Sequence, residues 1–120
     1  MAGMTITLYG ISNCDTVKKA RTWLADHGVD HSFHDFKKSG VPADHLNRWI
    51  EELGWDNLVN RRGTTWRKLD ESVQHGVKDV ASARALMLEN VSVIRRPIVE
   101  WGQGPATVGF DAAAWSTRFT

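Results

Sequence analysis

The chain is sparing with cysteine: there is one, Cys14, among 120 residues. A single thiol excludes an internal disulfide and suits a reducing compartment, so a cytoplasmic protein is expected. Three prolines and one tyrosine are also few. No apolar run approaches the ~20 residues of a membrane helix, so no membrane association is expected. MAGMTITLYG lacks a basic segment followed by a long apolar stretch, and no secretory signal is expected. Met1–Gly3 read as a start variant or an added remnant. Neither charge sign dominates: the net is +1, too small to imply a polyanionic partner. The five histidines show no paired ligand spacing and no glycine-rich phosphate loop precedes a helix, so no metal site and no bound cofactor are expected.

What is present is the composition of a folded domain, with 42% apolar and 24% charged residues, and the length suggests one domain over 1–120. Thr5–Tyr9 combine β-branched and aromatic types and read as a buried strand. Gly10–Asp15 read as a loop. From Thr16 onward, Val17, Ala20 and Leu24 fall at helical spacing while Lys18, Lys19 and Arg21 face away, and Gly28 supplies a stop. His31–Phe36 read as a second strand. Pro42 opens a helix in which Leu46, Trp49, Ile50 and Leu53 stand at i, i+3, i+4 and i+7. Residues 55–76 are irregular. Asp79 is expected to cap a helix from Val80 to about Glu89. Ile98–Trp101 and Ala106–Phe110 read as a hairpin, and Asp111 as the cap of a last helix to about Phe119.

The resulting order is β-α-β, a helical block, then β-β-α. It implies an α/β fold with a mixed sheet flanked by helices, the strands lying in 5–36 and 91–120 and the helical insertion over 42–90. Trp23, Trp49 and Trp115 occupy helical-face positions and read as core; for Trp55, Trp66 and Trp101 packing is the simpler reading, a cleft lining the other.

Cys14 stands where strand one gives way to helix one. Helix-start N–H groups and the helix dipole favour an anion there, so the thiol is expected to ionise readily and act as a nucleophile. The peptide N–H groups of Asp15 and Thr16 are expected to hold its charge, with help from Lys18 and Lys19. The residue three after Cys14 is Val17, so no C-x-x-C exists and a resolving thiol must come from outside, most simply glutathione. Arg61-Arg62 and Arg95-Arg96 are the two paired arginines; an arginine can grip a planar anion bidentately. Arg96 directly precedes Pro97, where a cis peptide can shape a site. "RRGTTWRK" mixes cations with Trp66, but too little basic surface accompanies it for nucleic acid.

Taken together, "TLYGISNCDTVKKARTWL", "ELGWDNLVNRRGTTWRKLDE" and "RRPIV" give the chain a resemblance to the arsenate reductase (ArsC)/Spx family, and within it to the YffB-type branch. The likeness spans almost the full chain. It implies a thioredoxin-like fold, with Cys14 as the reactive cysteine and Arg96 as an active-site arginine. By the same likeness, Pro97 is the cis-proline; Asn13, Asp15, Thr16 and Arg61 are expected to border the substrate. The insertion arginine of the arsenate reductases falls here near Asn60, with Arg61 one residue later. Their third arginine falls near Ala106 and is absent. The resemblance therefore implies a glutathione-dependent thiol/disulfide reductase with one nucleophilic cysteine, acting on a small thiol or disulfide substrate; one small domain with no coiled-coil pattern makes a monomer the expectation. The alternatives are an Spx-like docking protein without catalysis, or an arsenate reductase with an incomplete arginine set.

Overall fold

The computed structural model describes residues 5–119, so Met1–Gly3 lie outside the described residues. In chain order the elements are β1 (Thr7–Gly10), α1 (Asp15–Asp26), β2 (Ser32–Asp35), α2 (Phe36–Ser39), α3 (Ala43–Leu53), α4 (Trp55–Leu58), α5 (Thr64–Arg67), α6 (Glu71–Gly76) and α7 (Val80–Glu89). A 3₁₀ turn (Val91–Val93), β3 (Ile98–Glu100), β4 (Thr107–Val108) and α8 (Ala112–Thr117) complete the chain. These elements gather into two compact units. One takes the chain up to Asp35 and from Arg96 onward; the other is Phe36–Arg95.

The first unit is built on a four-stranded sheet of order β2-β1-β3-β4. β1 runs parallel to β2 and antiparallel to β3, and β4 is antiparallel to β3. A parallel pair needs a crossover, and α1 supplies it. This is the thioredoxin-like mixed sheet that the resemblance implied. Alternation along the strands sends Ile6, Leu8, Val99 and Trp101 to one face. There they meet Val17, Ala20 and Leu24 of α1 and Trp115 of α8 in one buried cluster. Val17, Ala20 and Leu24 are wholly buried. Burial of each larger aliphatic side chain contributes about 1.5–3 kcal/mol, so the stripe at i, i+3 and i+7 holds α1 to the sheet. Trp115 is the aromatic centre: its ring lies 4.8 Å from Phe110, 5.1 Å from Trp101 and 5.6 Å from Trp23, each edge to face. The Trp101 indole N–H donates to the Thr107 hydroxyl at 3.0 Å, which meets its polar need inside the hairpin.

Several boundaries differ from expectation: β2 is Ser32–Asp35, not 31–36, because Phe36 opens α2, and β3 stops at Glu100, before Trp101. The first strand is Thr7–Gly10, not 5–9, because Gly10 pairs with Asp35 in the β1–β2 ladder. β4 stops at Val108, since Gly109 turns the chain with φ 88° and donates its N–H to the Pro97 carbonyl at 2.8 Å. α8 stops at Thr117, where Arg118 and Phe119 donate three residues back, to Trp115 and Ser116, in a tightened last turn.

The second unit is helical. Among its described residues there is no strand, only an isolated antiparallel bridge between Val59 and Ile94. In α3, Leu46, Trp49 and Ile50 are buried as the spacing predicts, and Gly54 ends the helix with φ 87°. Trp49 packs 6.1 Å from Phe36. The irregular stretch resolves into α4, α5 and α6, each of six residues or fewer. Gln74 ties two of them together by donating its side-chain N–H to the Trp66 carbonyl at 2.7 Å. α7 begins at the expected Asp79 cap. No helix among the described residues is long and apolar enough to cross a membrane.

Candidate functional site

The site is assembled by the sheet register. Tyr9 of β1 pairs with Ile98 of β3, so the end of β1 and the beginning of β3 lie side by side. The residues just beyond those two ends are therefore neighbours. On one side the chain turns through the exposed Ser12 and Asn13 to Cys14; on the other it arrives through Arg96 and Pro97. The Arg96–Pro97 peptide is cis. Pro97 is buried, and Arg96 is half-buried with its guanidinium within reach of the Cys14 sulfur. Cys14 and Arg96 are brought together although 81 intervening residues separate them.

Cys14 is the cap residue of α1. Its backbone is extended, with φ −121° and ψ 123°, and its carbonyl accepts the first helical bond from the Lys18 N–H at 2.9 Å. The neutral thiol forms no cap hydrogen bond of the kind an oxygen side chain makes. The ionised sulfur is nevertheless favoured. Burial pushes the Cys14 thiol up, but this is outweighed by the Val17 N–H, the hydrogen bond and positive charge of Arg96, and the Thr16 N–H. The net result lies below the ordinary value of 9.0. A half-buried sulfur in this setting keeps a face open to reactants while its charge is stabilised from the protein side.

Two sequence expectations are corrected here. The backbone donors are those of Thr16 and Val17, not Asp15 and Thr16, because a cap side chain faces the second and third N–H groups of its helix. The positive charge beside the sulfur is that of Arg96, while Lys18 and Lys19 are exposed. Asp15 opens α1 as an exposed first-turn acid, which suits the positive end of the helix. The third N–H was missed because a backbone donor leaves no mark on residue type; its position at the third helical residue is the signal that could have found it.

Arg61 belongs to the second unit. Its guanidinium lies 5.5 Å from the Trp55 ring centroid and 5.8 Å from that of Trp66, held between two indoles by cation–π attraction. Trp55 and Trp66 are thus half-buried partners of a cation. Ala106 is buried in the first unit, so its position offers no cation. Among the described residues no group of three or more His, Cys, Asp or Glu side chains could hold a metal ion.

Comparison with known proteins matches this arrangement over its whole length. The solved structure of a YFFB protein is 49% identical, with a TM-score of 0.88, covering 94% of this chain and 97% of its own. An arsenate reductase (ArsC) related protein from Brucella melitensis is 50% identical, with a TM-score of 0.76, covering 99% and 98%. The global transcriptional regulator Spx of Streptococcus pyogenes is 30% identical over 109 residues, 88% of this chain and 78% of the regulator. The model of the ArsC family matches residues 9–117, from Tyr9 of β1 to Thr117 at the end of α8. The cysteine-headed helix and the Arg-Pro step that faces it are thus parts of one shared domain, and the chain belongs to the ArsC family.

Proposed function

We propose that the protein is a thiol/disulfide oxidoreductase that uses Cys14 as its nucleophile and glutathione as its co-substrate. The observation that carries this reading is the convergence of Arg96 and the α1 N–H groups on a single half-buried sulfur. In the first step the Cys14 thiolate attacks the glutathione-side sulfur of a mixed disulfide. The substrate sulfur leaves as a thiolate and takes a proton from water, and Cys14 becomes joined to glutathione. In the second step the thiolate of a free glutathione attacks the glutathione sulfur of that adduct. Glutathione disulfide leaves and the Cys14 thiolate is restored. The net exchange turns the mixed disulfide and one free glutathione into the substrate thiol and glutathione disulfide, whose second half is the glutathionyl group the substrate carried. Val17 occupies the place where an internal resolving cysteine would stand, which is why the second thiol must be external. Arg96 favours the thiolate in the resting enzyme and as the leaving group of the second step. Asn13, Asp15 and Thr16 are assigned to the border of the substrate. No resident cofactor is invoked, and the protein acts as a cytoplasmic monomer.

Intact-mass measurement after treatment with glutathione disulfide tests the cycle. The expected result is one added glutathionyl group, lost on incubation with excess glutathione and never seen in Cys14→Ser. No adduct on the folded wild type, or an adduct that excess glutathione does not remove, contradicts the proposal. The second reading, a docking protein without turnover, is favoured by the 30% identity to Spx. It predicts the adduct without catalytic reduction of a glutathionylated substrate. The arsenate reading is opposed by Ala106, a small buried residue in place of the third arginine.

A further inference from the structure

Gly10 is the last residue of β1, and its lack of a side chain has a spatial cause. Six glycines in the described chain adopt positive φ, and Gly10 is not one of them. Its backbone is an ordinary strand conformation, paired with Asp35, that any residue can take up. What singles it out is what lies above it. A Cβ built on Gly10 would stand 2.7 Å from Cγ2 of Val17 and 3.4 Å from its Cγ1, the first well inside any real carbon contact. Val17 cannot swing aside. It is β-branched, with little rotamer freedom in a helix, and it is wholly buried in the cluster with Leu8, Ala20 and Leu24. An added methyl would therefore displace the first turn of α1 as a whole, or distort the end of β1.

We propose that Gly10 is a positioning residue for the site: its bare Cα lets Val17 seat against the end of β1, and that contact sets the first turn of α1 against the Cys14 sulfur. The chain of contacts is short. The side chain of Val17 takes the space a Cβ on Gly10 would need, and the N–H of the same residue faces the thiol. Val17 thus serves the site with its backbone while its side chain measures the gap to the strand. The inference rests on Cys14 being the reacting sulfur, but it concerns the placement of the helix start and not the identity of any substrate.

The test compares Gly10→Ala, Val17→Ala and the double variant, reading the pH midpoint of Cys14 alkylation by iodoacetamide on protein shown to be folded by circular dichroism. Gly10→Ala should raise the midpoint and slow alkylation at neutral pH by about threefold or more, the loss of thiolate that half a pKa unit produces. Val17→Ala keeps its N–H but loses the contact with the end of β1, so it too should raise the midpoint, by less than Gly10→Ala. The double variant removes both methyls that the new Cβ would strike, and it should return the midpoint towards wild type. A purely structural role for Gly10 would lower thermal stability without moving the midpoint, and that result overturns the proposal. So does a double variant whose midpoint equals that of Gly10→Ala. Should Gly10→Ala not fold, the double variant decides: a folded protein with a near-wild-type midpoint supports the proposal, and failure to recover the fold overturns it. A wild-type midpoint at the ordinary thiol value would defeat the oxidoreductase reading instead, so the two failures are distinct.

Discussion

The helices α1 and α7 each begin with an ionisable side chain at the cap, and they use it differently. At the start of α7, Asp79 accepts from the Ser82 N–H at 2.9 Å and from the Ser82 hydroxyl at 2.7 Å. The Ser82 hydroxyl oxygen in turn accepts from the Asp79 N–H at 3.1 Å, closing a reciprocal capping box. The carboxyl is held below its ordinary value by the Ser82 N–H first and the Ser82 hydroxyl second. Its charge is answered within four residues. At the start of α1, Cys14 makes no such bond, and the partner that adds to the backbone N–H groups is Arg96, from the far end of the sequence. One helix start is closed on itself and serves the fold. The other leaves its anion open to a reactant, with stabilisation supplied by tertiary contacts. A helix N-terminus is the same physical resource in both places; what decides its use is whether the cap atom is saturated locally.

Cys14→Ser breaks the comparison most severely, since it turns the α1 cap into an oxygen cap like that of α7. Adduct formation with glutathione disulfide should fall to nothing. Serine is a preferred cap, so the melting temperature should be no lower than that of wild type. A marked drop in melting temperature would mean that the cysteine is there for packing. Next comes Arg96→Ala. It removes a hydrogen bond and a charge from the thiolate, so the alkylation midpoint must rise, with about tenfold slower alkylation at neutral pH for each pKa unit. Arg95→Ala, at an exposed neighbour, should leave the midpoint in place. Equal effects of the two would remove Arg96 from the site.

These variants target residues whose legibility in the sequence was unequal. α3 was readable because Leu46, Trp49 and Ile50 repeat at helical spacing over enough residues to show a face, and all three are buried. Asp79 and Asp111 were readable as caps because their side-chain oxygens act locally, on Ser82 and Ala114. The short helices α4 to α6 were not, since one or two turns hold too few residues to display a period. The parallel pair and the hairpin followed from the β-α-β and β-β-α halves, but the β1–β3 pairing that joins them did not, and β1 ran on into Gly10, a residue with no strand propensity whose place is set by Asp35 and Val17. At the site, the strand–helix joint marked Cys14, and the step before Pro97 marked Arg96. Which N–H groups face the sulfur depends on backbone geometry, which residue types do not record.

Asp79→Ala sharpens the comparison from the other side. It should lower the melting temperature by a few degrees and leave Cys14 alkylation unaffected, because its bonds end at Ser82. The smallest effects lie in the pH dependence of stability. Asp79 has a lowered folded pKa, so its contribution is present above the ordinary value of 3.8 and is lost as pH falls through the folded value. Asp79→Asn should therefore flatten the acid limb of the melting curve. Cys14 follows the same sign at higher pH. Its contribution is full above the ordinary 9.0 and fades as pH falls through the lowered folded value. Wild type should gain stability relative to Cys14→Ser as pH rises from neutral towards 9.0, and a difference that does not change with pH would count against a stabilised thiolate.

The most direct test of the central claim is the rate of iodoacetamide alkylation of Cys14 in the native protein, measured against pH. A thiolate held by Arg96 and the N–H groups of Val17 and Thr16 predicts a midpoint below 9.0 that returns towards that value on unfolding. A midpoint at or above 9.0 in the folded protein would contradict it.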